Sequence, residues 1–372
     1  MTLLVFSDDW GRHPTSCQHL VRHLLDRTPV VWVNMIGMRR PRWEWYSAKR
    51  GVEKIVQWFG PRSQTISQPA NLQVVSPLIW PGFSWGWERS LNRRLMVRKL
   101  GPIADAMHDW PIAVTTTPMV ADLIDRIRAK RWVYYCVDDF TSWPGLDHRT
   151  VEQMESRLID HVDRVIVVSE KLRERMTKRG RQAELLTHGV VLEKWTTTTT
   201  PDIAFPYPRP WLLFWGLIDQ RLDVEILNRL SENKIGTVIL VGPEDNPDPR
   251  LRKLPGIVFR PAVSSEQLPP LAAAADVLLL PYADLPVTRA IQPLKLKEYL
   301  ATGKPVVARD LPAVLEWADC MDIVSNAAEF ADAVALRCRE GIPPSQLIAR
   351  KRLTVESWEA KADQFYRYIT SD

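Results

Sequence analysis

A chain of 372 residues is longer than one hydrophobic core ordinarily serves, so two domains are expected. With 45% hydrophobic and 25% charged residues it has material for both cores, which excludes a largely disordered chain, and no apolar run approaches the roughly 20 residues that cross a bilayer. A net charge of +5 favours phosphate-bearing ligands or anionic lipid without singling out nucleic acid, and Cys17, Cys136, Cys320 and Cys338 are too scattered for a C-x-x-C zinc site or a disulfide framework.

Residues 3–7 read as a buried strand, followed by the polar turn Asp8, Asp9, Trp10 and Gly11, a helix pattern over 16–25 and a strand at 30–33. No basic leader or small-residue cleavage site precedes them, and a cytoplasmic protein is expected. Apolar runs recur at 72–75, 112–115, 132–137 and 165–168, separated by helix-length segments, which predicts a parallel sheet wrapped by helices. The Thr-rich and Pro-rich passage 196–210 resists helix and reads as a linker. Strands then resume at 211–215, 238–241, 257–259, 277–280 and 305–308. Near the end, Trp358, Ala362, Phe365 and Ile369 make one helical stripe. The expected organisation is α/β, with a Rossmann-like domain over 1–195, the linker 196–210, a second Rossmann-like domain over 211–354 and a C-terminal helix over 355–372 that packs back toward the first domain. Ligand loops are expected at the carboxyl ends of the strands, around a central cleft.

The segment from Asp276 to Val307 reads strand, loop, helix, glycine stop, strand. Pro293 suits a first helical turn, so the helix is expected to start near Gln292, with Leu294 in that turn. Free N–H groups there would seat a diphosphate, Lys295 would add a full charge, and Glu298, a turn further on, would accept from two ribose hydroxyls. Tyr282 closes the preceding strand, and Thr288 and Arg289 flank the same loop. Gly216, after the strand 211–215, would let backbone approach a ligand, with Arg221 five residues on. More ordinary duties stand beside these: Arg221 pairing with Asp219 or Asp223, Asp138 and Asp139 capping a turn, and His13 and His188 satisfying backbone groups.

These segments resemble the GT-B glycosyltransferases, particularly family 4, whose members carry an acidic residue on a helix before an Ala-x-Gly-x-Pro-Val-Val stretch, here Glu298 followed by Ala301 to Val307. The family's E-x7-E is incomplete, since Ala290 stands eight residues before Glu298, and the variant with Pro-x-Lys ahead of the glutamate fits Pro293, Lys295 and Glu298. Runs at 133–140, 165–170 and 185–190 are similar to the end of the first domain in those enzymes, with His188 in place of an asparagine, and the opening around Asp9 to Gln18 is similar to bacterial members, so the resemblance extends over nearly the whole chain. It implies a hexosyl transfer from a nucleoside diphosphate sugar, UDP- or GDP-linked, to a saccharide or lipid-linked acceptor in polysaccharide or glycolipid synthesis, with retention and without a metal or other cofactor. Gly216, Arg221, Tyr282, Arg289, Gln292, Pro293, Leu294, Lys295 and Glu298 would then hold the donor, Asp138, Asp139 and His13 would serve catalysis, and Asp9, Trp10, Gly11 and His188 would face the acceptor. No D-x-D, H-E-x-x-H, P-loop or G-x-G-x-x-G occurs. A sugar-nucleotide epimerase of the same fold and a noncatalytic two-lobed binding protein are the alternatives. Basic and aromatic residues interleave at 39–50 and again at Trp85, Trp87, Arg93, Arg94, Arg98 and Lys99, which leaves contact at the inner membrane face open beside ordinary packing.

Overall fold

A computed structural model describes residues 1–11, 15–35, 69–142, 146–196 and 205–371. His13 and the run 39–50 lie outside them. The chain divides into two compact units: Met1–Ile166 with Gly180–Glu184 and Tyr366–Asp372, and Val167–Arg179 with Leu185–Phe365.

In the first unit, β1 (Leu3–Ser7), β2 (Val30–Asn34), β3 (Leu72–Val75), β4 (Ile112–Thr115), β5 (Arg131–Cys136), β6 (Arg164–Val167) and β7 (Glu184–Leu185) form one sheet in the order β3-β2-β1-β4-β5-β6-β7. Strands β1 to β5 run parallel, with Leu3 opposite both Val30 and Ile112. All five side chains of β1 are buried, as a central strand covered on both faces requires. The order reverses direction between β1 and β4. That reversal opens a crevice beyond their carboxyl ends, where the turn 8–11 begins.

The second unit repeats the plan. Strands β8 (Trp211–Trp215), β10 (Thr237–Val241), β12 (Ile257–Arg260), β13 (Val277–Leu280), β14 (Val306–Arg309) and β15 (Asp322–Val324) lie parallel in the order β12-β10-β8-β13-β14-β15, while β9 (Ile218–Asp219) and β11 (Glu244–Asp245) pair separately. Here the switch point lies between β8 and β13, so the residues after Trp215 and after Leu280 meet.

The units meet the chain at other residues than 195 and 211, for a local reason. As soon as the chain leaves β7, residues 187–190 are taken up by the second unit: His188 N–H donates to Gln292 Oε1 at 2.8 Å, Val190 N–H to Glu356 O at 2.9 Å, and Lys297 Nζ to His188 O at 2.6 Å. The C-terminal helix Trp358–Thr370 buries the expected stripe, Trp358, Ala362, Phe365 and Ile369. Its last residues belong to the first unit, where Arg131 donates to Ile369 O at 3.0 Å and Arg164 to Ser371 O at 2.9 Å. Among the described residues, no helix is long and apolar enough to cross a membrane.

Candidate functional site

The second unit brings the donor-side residues to its switch point. β8 ends on Gly216, whose N–H donates to Val241 O at 2.9 Å and whose φ of +134° a side chain would strain. A β-carbon there would collide with the Lys295 amine, so glycine keeps space for that cation. The chain then folds onto the end of β13: Leu222 bridges Tyr282, Ala283 N–H donates to Arg221 O at 2.8 Å, and Asp223 N–H to Pro281 O at 2.8 Å. Backbone pairing thereby gathers Arg221 and Tyr282, and the Lys295 side chain reaches Gly216 beside them, although 79 residues of sequence separate Gly216 from Lys295 (295 − 216).

Lys295 Nζ sits 4.1 Å from the Phe214 ring centroid and 5.4 Å from that of Tyr282, and the two rings meet edge to face at 6.1 Å. The aromatic faces hold the ammonium by its quadrupole attraction without neutralising it. Arg221 is aimed by Asp219: its Nε donates to both carboxylate oxygens at 3.0 and 2.9 Å, and its backbone N–H to Oδ1 at 3.0 Å. Both side chains are largely buried, so the pair fixes the arginine and is more than a loose surface contact. Arg289, by contrast, is about half exposed and forks onto Asp284 at 2.5 and 2.6 Å, and Thr288 is buried and spent on backbone groups of Ala283 and Leu285.

The helix carrying Lys295 and Glu298 spans Lys295–Ala301, three residues later than Gln292. Pro293 forms the tight turn ahead of it, its carbonyl accepting from Leu296 N–H at 3.1 Å, and Leu294 is the N-cap, without a side-chain cap bond. The buried side chain of Gln292 holds His188, accepting from its backbone N–H. His188 is buried and belongs to the second unit, whereas Asp9, Trp10 and Gly11 belong to the first. Burial pushes the Glu298 carboxyl up to about 7, and the nearby charges of Lys194 and Lys295 and the Trp215 indole pull it part of the way back. Trp215 Nε1 itself is buried and has no full hydrogen bond to any of the described residues. Tyr299 completes the wall, its hydroxyl accepting from Trp215 N–H at 3.0 Å.

Sequence reasoning missed the support behind this helix. Lys297, only 3% exposed, reaches Thr187 Oγ1, His188 O and the Glu356 carboxylate, and Lys361 shares Thr187 and Glu356 at 3.0 and 2.8 Å. Desolvation lowers the Lys297 ammonium to about 8 against the opposing pull of Glu356. Ser169, which caps the helix Glu170–Lys178, also donates to Ala290 O at 2.9 Å. A charged residue in the middle of an otherwise apolar helix face was the available signal for Lys297. Nothing in the local sequence pointed to Glu356.

In the first unit, the turn after β1 is stapled by buried Gln18, which donates to Asp9 O at 3.1 Å and accepts from Gly11 N–H at 3.2 Å, while Trp10 N–H donates to Asn34 Oδ1 at 2.9 Å. Trp10 packs edgewise on Trp32 at 4.8 Å, and Gly11 takes φ +80°. Asp9, Trp10 and Gly11 are thus fixed at the carboxyl end of β1. Asp138 offers its carbonyl to Cys136 Sγ, and Asp139 accepts from Thr141 Oγ1 at 2.6 Å, a turn-shaping contact.

Residues 212–338 match the family model "Glycosyl transferases group 1". The chain aligns over its whole length with glycosyltransferase structures of the same two-unit plan: a sucrose-phosphate synthase from Thermosynechococcus elongatus at TM-score 0.72 and 14% identity, covering 98% of this chain and 97% of that one, and HepE of Anabaena in complex with UDP and glucose at TM-score 0.66 and 14% identity, covering all of both. The fold is GT-B. A stretch of 177 residues is also 28% identical to TuaH of Bacillus subtilis (strain 168), whose name places it among glycosyltransferases of teichuronic acid biosynthesis. That match takes in 44% of this chain and spans 45% of the relative's length. The GT-B fold gives Gly216, Arg221, Tyr282 and Lys295 a frame, since they lie within the matched residues 212–338 and gather at the switch point of the sheet.

Proposed function

We propose that the protein transfers a hexose from a nucleoside diphosphate sugar to a saccharide or lipid-linked acceptor, in polysaccharide or glycolipid synthesis and in the cytoplasm. The observation that carries this reading is the meeting of Gly216, Arg221 and Lys295 at the β8–β13 switch point, with Glu298 one turn along the same helix. As the bond between the anomeric carbon and the diphosphate oxygen breaks, negative charge grows on the leaving group. Lys295, held against two π-faces, and Arg221, aimed by Asp219, are the cations to meet it. Glu298 takes the ribose hydroxyls, and Tyr282 and Trp215 wall the site. Two cations in place supply what a divalent ion supplies in other transferases, so the reaction is proposed to need none. The acceptor oxygen attacks the anomeric carbon and its proton leaves on the departing diphosphate, which gives retention by displacement on one face, as family 4 resemblance implies.

The test is incubation of the purified chain with UDP- and GDP-hexoses and a panel of saccharide and lipid-linked acceptors, with product identified by mass and anomeric configuration. Transfer from one donor with retained configuration supports the reading. Release of a new sugar isomer without transfer would favour an epimerase, and binding without turnover a noncatalytic protein.

A further inference from the structure

The first unit displays tryptophans that its own core does not use. Leu78, Trp80, Trp85 and Trp87 are 60%, 44%, 62% and 57% exposed, four large apolar side chains within ten residues. Isolated exposed apolar residues are ordinary, but a contiguous group marks a contact surface. This group is built with some care. Asn92, 2% exposed, accepts from Trp80 N–H at 2.6 Å and donates to Trp80 O and Gly82 O at 3.1 and 3.0 Å. Glu88, also buried, accepts from Trp85 N–H at 2.9 Å and from Trp80 Nε1 at 3.3 Å, and the Trp80 ring leans on Trp87 at 5.7 Å. Two buried polar side chains thus hold the tryptophan loop against the helix Gly86–Asp105 while its rings stay in solvent.

The helix explains what the surface faces. Its inward row is Glu88, Asn92, Met96, Leu100 and Ala104, at intervals of four. The opposite row runs Trp87, Leu91, Arg94 and Arg98, with exposed Lys99 beside it. Aromatic rings lie at one end and cations at the other, along one solvent-facing stripe. Tryptophan prefers the headgroup level of a bilayer, and cations are drawn to anionic lipid. We infer that this stripe is a docking surface for an anionic bilayer, with Trp80, Trp85 and Trp87 entering the headgroup layer and Arg94, Arg98 and Lys99 pairing with lipid phosphates. The inference does not depend on the transfer reaction, because a chain with no transferase activity would still bind.

The experiment is co-sedimentation of the full chain with vesicles of phosphatidylcholine alone and of phosphatidylcholine mixed with phosphatidylglycerol, at low and high salt, read together with tryptophan emission. The expected result is binding to the mixed vesicles, a blue shift of emission, and loss at high salt. Arg94→Glu with Arg98→Glu should weaken binding roughly tenfold or more. The triple replacement of Trp80, Trp85 and Trp87 by Ser should abolish the blue shift. Trp85→Ser alone, at the most exposed ring and outside the helix, is the variant least able to disturb folding, and it should weaken binding by itself. No sedimentation with either vesicle, equal binding to both, or unchanged binding in the charge-reversed and Trp85→Ser variants overturns the inference, as does retention of mixed-sequence duplex DNA in place of vesicles.

Discussion

Lys295 is the side chain on which the proposed chemistry leans most. Its amine rests on two aromatic faces, and among the described residues no ion pair holds it, so its charge stays available to a leaving diphosphate. Lys295→Ala is expected to lower kcat by roughly 10² to 10³-fold and to change stability by no more than about 1 kcal/mol, checked by initial rates and thermal melts. Gly216→Ala, which drives a methyl into that amine, should weaken nucleotide binding with a further backbone cost of about 1 kcal/mol or more. Glu298 sets a pH dependence. Its carboxyl titrates near 7 in the folded protein against an ordinary 4.5, so between those values the folded state holds a proton that the unfolded state has lost. Stability therefore falls as pH rises from about 4.5 to 7, and Glu298→Gln should flatten that part of the melting profile. Nucleotide affinity should move the opposite way, rising through pH 7 as the carboxylate forms to accept ribose hydroxyls, and Glu298→Gln should remove the rise. Lys295 and Glu298 could be picked out by the Pro-x-Lys and glutamate pattern and Arg221 by the resemblance after Gly216, and the structure brings Gly216, Arg221 and Lys295 to the end of β8. The Asp219 that aims Arg221 was visible as a neighbour, but whether it competed with or supported function depended on geometry. The fork of Arg289 with Asp284 was not visible in the sequence.

The strands were the clearest elements in the sequence. Residues 3–7, 72–75, 112–115, 211–215 and 277–280 are strands with the expected bounds, because buried parallel strands are near-continuous apolar runs. β7, β9, β11 and β15 went unnamed, being two or three residues long and carrying acidic side chains that break any run. The helix start was displaced because Pro293 permits a first helical turn but also a tight turn, and the tight turn won. What holds this short helix is the buried cluster of Lys297, Glu356 and Lys361. Removing the shared anion leaves two ammoniums facing each other without their bonded counter-charge and with only the more distant Glu316 to offset Lys297, whereas removing Lys297 leaves Glu356 its bond with Lys361. Glu356→Gln should therefore destabilise by up to about 3–5 kcal/mol, and Lys297→Met by clearly less. Denaturant melts of both variants check the order, and equal losses would contradict it. The cluster joins residues 187, 297, 356 and 361, a separation at which sequence periodicity carries no information.

For the molecule as a whole, the two-sheet plan was readable from alternating runs and a Pro-rich break, and the full-length alignment with GT-B structures agrees with it. The place where the units divide was less readable, since it depends on hydrogen bonds to 187–190 from residues a hundred or more positions away and not on composition. Both sheets carry their expected ligand loops at their own switch points, the turn 8–11 in one and Gly216 with Tyr282 in the other. The central claim is that the second unit's cations, and not a metal, hold a nucleoside diphosphate. Calorimetric titration of the chain with UDP, GDP, ADP and TDP, first in EDTA and then with magnesium, tests it most directly. One nucleotide is expected to bind in the micromolar range in EDTA, unchanged by magnesium and lost in Lys295→Ala; no binding by any of the four, or binding that appears only with magnesium, would contradict this.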